Sequence, residues 1–238
     1  VLWEQSLPGL QMSDRRAIYT EMNRVIAALH RTSYAQVGLE SFGKPGQYIE
    51  RQISRWTRQY QASITTPIPE MDRLMEWLPQ HIPASAKDDS QTSVVHGDYR
   101  LDNLIFHPDK PQILAVLDWE LSTLGHPLAD FSYHCMSWHI IPGTFRGIGG
   151  LDLPALGIPT EKEYIRMYCD QTGLAKPQDL EVDWNFYLAF NLFRIAAILQ
   201  GIAKRVVDGT ASSEQAKSSG AGAKPMAELA WHLACQVR

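Results

Sequence analysis

The stretch from Val94 to Glu120 constrains the fold more than any other part of the chain. Two short apolar runs, Val94–Val95 and Leu104–Ile105–Phe106, bracket a polar segment from His96 to Asn103. The turn His107–Pro108–Asp109–Lys110–Pro111 follows. A third apolar run, Ile113 to Leu117, then ends on Asp118–Trp119–Glu120. Apolar runs this short, separated by turns rich in Pro and Asp, read as strands rather than helices. The spacing therefore predicts a small β-hairpin lying on a helical body, with a polar loop beside it.

Around the hairpin the periodicity is helical. Ile18, Met22, Val25, Ile26 and Leu29 recur at three- and four-residue spacing, with Ser13 as the expected cap. Gly43–Lys44–Pro45–Gly46 breaks the chain. The next helix puts Ile49, Ile53, Trp56 and Tyr60 on one face and Arg51, Arg55 and Arg58 on the opposite, solvated one. A short helix is expected from Met71 to Leu78, ending at Pro79, with residues 84–93 as an exposed connector. Thr160 and Glu163 form a capping box for a helix that Gly173 stops. Asp183 is expected to cap a long apolar helix reaching about Val207. A last helix begins near Pro225, and the small polar residues of 208–223 read as mobile or weakly helical. The expected fold class is α+β, mostly α, with residues 1–238 as one unit and 94–133 as its catalytic core.

Charge and composition narrow the function classes. The 238 residues carry 22 basic and 26 acidic side chains, a formal charge of −4, which argues against nucleic acid as a partner. Cys135, Cys169 and Cys235 stand far apart; an odd, sparse set suits a reducing cytoplasm, each thiol a small buried apolar group. Glu4, Gln5 and Pro8 interrupt any secretory leader. The most apolar run, Phe186 to Leu199, holds Asn191 and Arg194 and falls short of the about 20 residues that span a bilayer, so no membrane partner is expected. Arg194 reads as one side of a buried ion pair. His134, Cys135 and His139 fit no tetrahedral zinc template and read as core. No G-x-S-x-G elbow or H-E-x-x-H motif is present, which removes two common hydrolase classes.

The polar loop supplies a different chemistry. Phosphoryl transfer from ATP needs a carboxylate to orient the attacking hydroxyl, an oxygen ligand for Mg²⁺, and a second carboxylate to bridge that metal to the phosphates. Asp98 and Asn103 have the H-x-D-x-x-x-x-N spacing of a kinase catalytic loop, and Asp118 ends the next strand, where the Asp of D-F-G would stand. Two other classes stay open: a catalytically silent binding module, and a hydrolase using Asp98 and Glu120 that would leave Asn103 and Asp118 unexplained.

The run HGDYRLDNLIF…AVLDWELSTLGHPLADFSY resembles the aminoglycoside phosphotransferase/choline kinase-like family of small-molecule kinases. Within that family it is most similar to the phosphotransferase modules related to those fused to acyl-CoA dehydrogenases. The similarity extends to KPGQYIERQISRWTRQY before the loop and NLFRIAAILQGI after it. It implies the helical C-terminal lobe of a protein-kinase-like fold, with ATP and Mg²⁺ as cofactors and a small-molecule hydroxyl as acceptor. It makes Asp98 the catalytic base, Asn103 and Asp118 the Mg²⁺ ligands, and Arg100 a charge stabiliser beside the transferred phosphate. From the residues alone, Glu120 reads as a second-metal or substrate-cation group or as an ordinary loop acid, and His96 and Asp130 read as structural supports of the loop.

The run between Asp118 and Asp130 is too short for an activation loop, which favours a small acceptor over a protein. Aminoglycosides, choline-like amines, sugars and hydroxyacyl-CoA thioesters all stay open. The family's N-terminal β-rich lobe, with its phosphate-covering loop and strand Lys, has no counterpart here. The segment Val1–Gly9 looks like the stretch just past the interlobe hinge, and Gly143 to Gly150 fits neither G-x-G-x-x-G nor a Walker A loop. The nucleotide-binding residues are therefore expected mainly on that other lobe, and the chain alone is expected to be inactive. The surface around Val94, Leu104 and Leu117 is expected to be exposed and partly apolar, open to homodimer formation.

Overall fold

The computed structural model describes residues 2–143, 145–210 and 215–237. In chain order its helices are α1 (Met12–Arg31), α2 (Tyr48–Ser63), α3 (Pro69–Gln80), α4 (Pro127–Cys135), α5 (Leu153–Leu156), α6 (Glu161–Thr172), α7 (Pro177–Val207), α8 (Gln215–Ala221) and α9 (Ala223–Ala234). The strands are β1 (Ser93–Val95), β2 (Leu104–Phe106), β3 (Ile113–Val116) and β4 (Thr123–Gly125). Two compact units form, one from residues 1–46 and 89–180, the other from 47–88 and 181–238.

The first unit holds both small sheets. β2 and β3 are the expected hairpin, antiparallel with Leu104 opposite Val116 and Ile105 opposite Ala115. β1 does not join them but pairs antiparallel with β4, Val94 facing Leu124. That pairing escaped the sequence because Thr123–Leu124–Gly125 is too short to show alternation. It also corrects the expected surface. Val94 and Leu104 are buried, since each side chain points from its ladder into the unit, whereas Leu117 is 39% exposed beside Leu114 at 55% and Trp119 at 43%.

α1 packs on α6, and between them Tyr19, Met22, Ile26, Tyr164 and Tyr168 are buried. Two differences from the expected α1 stand out. It begins at Met12 with Gln11 at the cap position, so Ser13 lies inside the first turn, where Asp14 complements the helix dipole. Its buried stripe runs through Tyr19, Asn23 and His30, leaving Val25 and Leu29 half-buried. Polar residues can occupy that stripe because they are satisfied: Asn23 donates to the Tyr164 carbonyl at 2.9 Å and accepts from Gln171 at 2.8 Å. α6 carries the Thr160–Glu163 capping box and stops at Gly173, whose φ of 65° suits a residue without a Cβ.

In the second unit, α2 buries Ile49, Ile53, Trp56 and Tyr60, and Arg55 and Arg58 face solvent. α3 opens on Pro69, a first-turn position where no backbone donor is lost, and runs through Pro79 to Gln80. Residues 84–87 form a 3₁₀ turn rather than an open connector, with Ala86 buried, and 89–91, already in the first unit, form another. α7 starts at Pro177, so Asp183 sits inside the helix instead of capping it and accepts from the Ser85 hydroxyl at 2.6 Å. By length and composition α7 could cross a membrane, yet 78% of its apolar stretch is buried inside the protein. Arg194 on α7 lies over the Trp56 ring at 5.5 Å, a cation–π contact.

Of the segment expected to be mobile, residues 215–221 are helical and 211–214 lie outside the described residues. Cys135 and Cys169 are buried. Cys235 is exposed, contrary to expectation, because it lies at the end of α9.

Candidate active site

The polar loop between β1 and β2 is held from beneath by one buried carboxylate. Asp130, on α4, accepts the His96 N–H at 2.7 Å through Oδ2 and the Gly97 N–H at 2.8 Å through Oδ1. His30 Nε2 lies 3.1 Å from Oδ2, and His30 Nδ1 lies 2.6 Å from the Tyr168 hydroxyl. A carboxylate only accepts, so His30 carries its proton on Nε2. Burial pushes the Asp130 carboxyl up, but the hydrogen bond and charge of His30, with the His96 N–H, outweigh it and hold the group below the usual carboxylate range.

His96 ties this loop to the strand that carries Asp118. Its buried ring lies with Nε2 2.8 Å from the Leu117 carbonyl, while Nδ1 accepts the Asp98 N–H at 3.2 Å. Those two partners select the neutral tautomer protonated on Nε2. The Leu117 N–H in turn donates to the Asn103 carbonyl at 2.8 Å. Asp118 itself has φ 64° and ψ 56°, a left-handed conformation that Asp tolerates better than most residues. It turns the chain out of β3 into the 119–121 turn, where Glu120 is also exposed.

Asp98 and Asn103 are interlocked. The Asn103 side-chain amide donates to the Asp98 carbonyl at 2.9 Å and to Asp98 Oδ2 at 3.1 Å. Arg100 Nε lies 3.1 Å from the same Oδ2, and the Tyr133 hydroxyl donates to Oδ1 at 2.5 Å. Arg100 therefore leans on the Asp98 carboxylate. Asp102 lies next to it, 3.4 Å from Arg100 Nε and 2.8 Å from Arg146. Burial raises the Asp102 carboxyl; Arg100 opposes that, and the charges of Asp98 and Asp118 add to the rise. Asp102 thus lies within electrostatic reach of Asp98 and Asp118.

Asp102, Tyr133 and Arg146 carry little signal in the sequence. Asp102 stands inside the loop and offered a weak signal as the acid next to Asn103. Tyr133 and Arg146 are distant in sequence, and only the helix spacing of Asp130 and Tyr133 hints that they share a face.

Gly97 is the one loop glycine whose conformation is demanding. Its φ is +82°, and a Cβ there would come within 2.6 Å of the Leu121 carbonyl oxygen. Gly97→Ala is expected to lower stability by about 1–3 kcal/mol and to move the Asp98 backbone. Thermal unfolding of the variant checks this, and an unchanged melting temperature would contradict it.

A helical body carrying small antiparallel sheets and this loop defines a kinase-like phosphotransferase fold. The chain belongs to the phosphotransferase enzyme family, whose model matches residues 1–164. It is 52% identical over 234 residues to acyl-CoA dehydrogenase family member 10 of Mus musculus, a match covering 97% of this chain and 21% of that protein. The crystal structure of a provisionally named aminoglycoside phosphotransferase from Ralstonia eutropha superposes with a TM-score of 0.94 at 62% identity, over 100% of this chain and 70% of that one. Choline kinase from Cryptosporidium parvum shares the fold at a TM-score of 0.59 and 11% identity, over 95% of this chain and 69% of that one.

Proposed function

We propose that this chain provides the catalytic and metal-binding side of an ATP- and Mg²⁺-dependent phosphotransferase acting on the hydroxyl of a small molecule. The observation that carries this is the interlock of Asp98 with Asn103, at the mouth of the strand pair that ends on Asp118. Asp98 orients the acceptor hydroxyl and takes its proton as the oxygen bonds to the γ-phosphorus, while the bond from that phosphorus to the β–γ bridging oxygen breaks and ADP leaves. Asn103 and Asp118 would hold the cation. The donor chemistry fits a hard ion, because the Asn103 amide N–H is already spent on Asp98, which leaves its carbonyl oxygen as the ligand. A bound Mg²⁺ supplies charge that offsets the phosphates. Arg100 would swing from Asp98 toward the transferred phosphate, and the exposed Glu120 would serve a second cation or a substrate group.

The names of the curated relatives favour a hydroxyl on an acyl-CoA among the candidate acceptors. The test is Mg·ATP turnover by the native protein with an aminoglycoside, choline, a sugar and 3-hydroxybutyryl-CoA in turn. One class should accelerate ADP release and emerge phosphorylated on oxygen; no acceleration by any of them would overturn the proposal.

Among the described residues no strand carries a lysine, so the group that pairs with the ATP phosphates is expected to come from another element. Two oxygen ligands alone bind Mg²⁺ poorly, because the ion sheds its waters reluctantly. The isolated 238-residue chain is therefore expected to bind Mg·ATP only weakly. Calorimetry showing low-micromolar affinity would place the whole nucleotide site within these residues.

A further inference from the structure

Helix α4 meets the catalytic loop with three side chains at i, i+3 and i+4. Asp130 holds the backbone N–H groups of His96 and Gly97. The His134 ring stacks edge-on against Tyr99 at 5.5 Å. Tyr133, between them in sequence, reaches past the backbone and donates its hydroxyl to Oδ1 of the Asp98 carboxylate. The first two contacts fix where the loop lies; only the third acts on the side chain that is to do chemistry.

We infer that Tyr133 is a positioning residue for Asp98, a role that rests on Asp98 being the base. A carboxylate at the end of a short side chain can rotate about two bonds, and its oxygens are equivalent until the surroundings distinguish them. Here they are distinguished from both sides. Oδ1 is fixed toward α4 by the phenol, and Oδ2 is fixed toward Asn103 and Arg100. The phenol ring is itself immobilised, since Tyr133 is buried on a helix whose residues are buried throughout. Asn103 cannot do this alone: it also turns with the loop, and its amide serves the Asp98 carbonyl as well as Oδ2. With Tyr133 in place, Oδ2 is presented beside the Asn103 amide in one orientation, and an acceptor hydroxyl meets a base that needs no rearrangement.

Tyr133→Phe removes the hydroxyl and keeps the ring, so the helix packing survives. The experiment measures steady-state Mg·ATP turnover to ADP by the full-length protein without added acceptor, water taking the acceptor's place, together with melting temperatures. Tyr133→Phe is expected to lower kcat about tenfold while the KM for Mg·ATP stays within twofold. A role confined to packing would lower the melting temperature and leave kcat alone. If kcat stays within twofold of wild type, or if KM for Mg·ATP rises as much as kcat falls, the positioning role is wrong. Asp98→Asn is run in parallel. Loss of turnover there with a normal Tyr133→Phe overturns the Tyr133 inference only, whereas normal turnover in Asp98→Asn overturns the base assignment beneath it.

Discussion

Asp98→Asn in the full-length protein is expected to lower phosphoryl transfer by about 10²–10⁴-fold while the fold survives. The substitution keeps the shape of the side chain and replaces one acceptor oxygen by an NH₂ donor. In one orientation of the new amide a wild-type contact becomes donor against donor, and in the other the Tyr133 hydrogen bond is reversed. With its oxygen toward the Tyr133 hydroxyl, the NH₂ faces the Asn103 amide and Arg100 Nε, which lie 3.1 Å from Oδ2 in the wild type. With its oxygen toward Asn103, the NH₂ meets the Tyr133 hydroxyl, which can then only accept. Neither orientation leaves a group able to take a proton from an alcohol. The site is partly open to solvent, so the stability change should stay near 1 kcal/mol, within reach of water to repair. Parallel measurement of turnover and melting temperature separates the two effects. Turnover within threefold of wild type would end the assignment of Asp98 as base.

The legibility of this fold in its sequence follows the range of the interactions involved. α2 and α6 were readable because their signals are local: a clean apolar stripe at Ile49, Ile53, Trp56 and Tyr60, and a capping box with a terminal glycine. The β2–β3 hairpin was readable because its strands are consecutive and a Pro-rich turn joins them. The β1–β4 pair was not, since its partners are three residues long and separated by the whole loop and hairpin.

Helix starts erred wherever a plausible cap lay downstream of the true one. Ser13 and Asp183 both looked like caps, but α1 starts at Met12 with no side-chain bond from Gln11, α7 starts at Pro177, and Asp183 found a distant partner in Ser85. For the site, the loop spacing marked Asp98 and Asn103, which hydrogen-bond to each other, and the strand end marked Asp118. Tyr133 and Arg146 come from segments whose proximity only tertiary packing decides, while Asp102 stands in the same loop.

Asp130→Ala is expected to cost about 3–5 kcal/mol of stability, the usual penalty for removing one member of a buried polar cluster. Three donors lose their acceptor at once: the His96 and Gly97 N–H groups and His30 Nε2. All are buried, and an unsatisfied buried donor costs about 1–3 kcal/mol. Partial repair by an entering water keeps the total below the simple sum. A loss of that size lowers the melting temperature by roughly 10 °C in a chain of this length. The dependence on pH has a definite sign. The Asp130 carboxyl is held below its ordinary range in the folded protein, so its contribution is complete above the ordinary carboxylate pKa and is lost as pH falls through the folded value. The stability gap between wild type and Asp130→Ala should accordingly be widest near neutrality and close at acidic pH. Urea unfolding of both proteins at neutral and acidic pH measures this gap. A gap under 1 kcal/mol at neutral pH, or one that widens on acidification, would show that the carboxylate does not brace the loop as its hydrogen bonds imply.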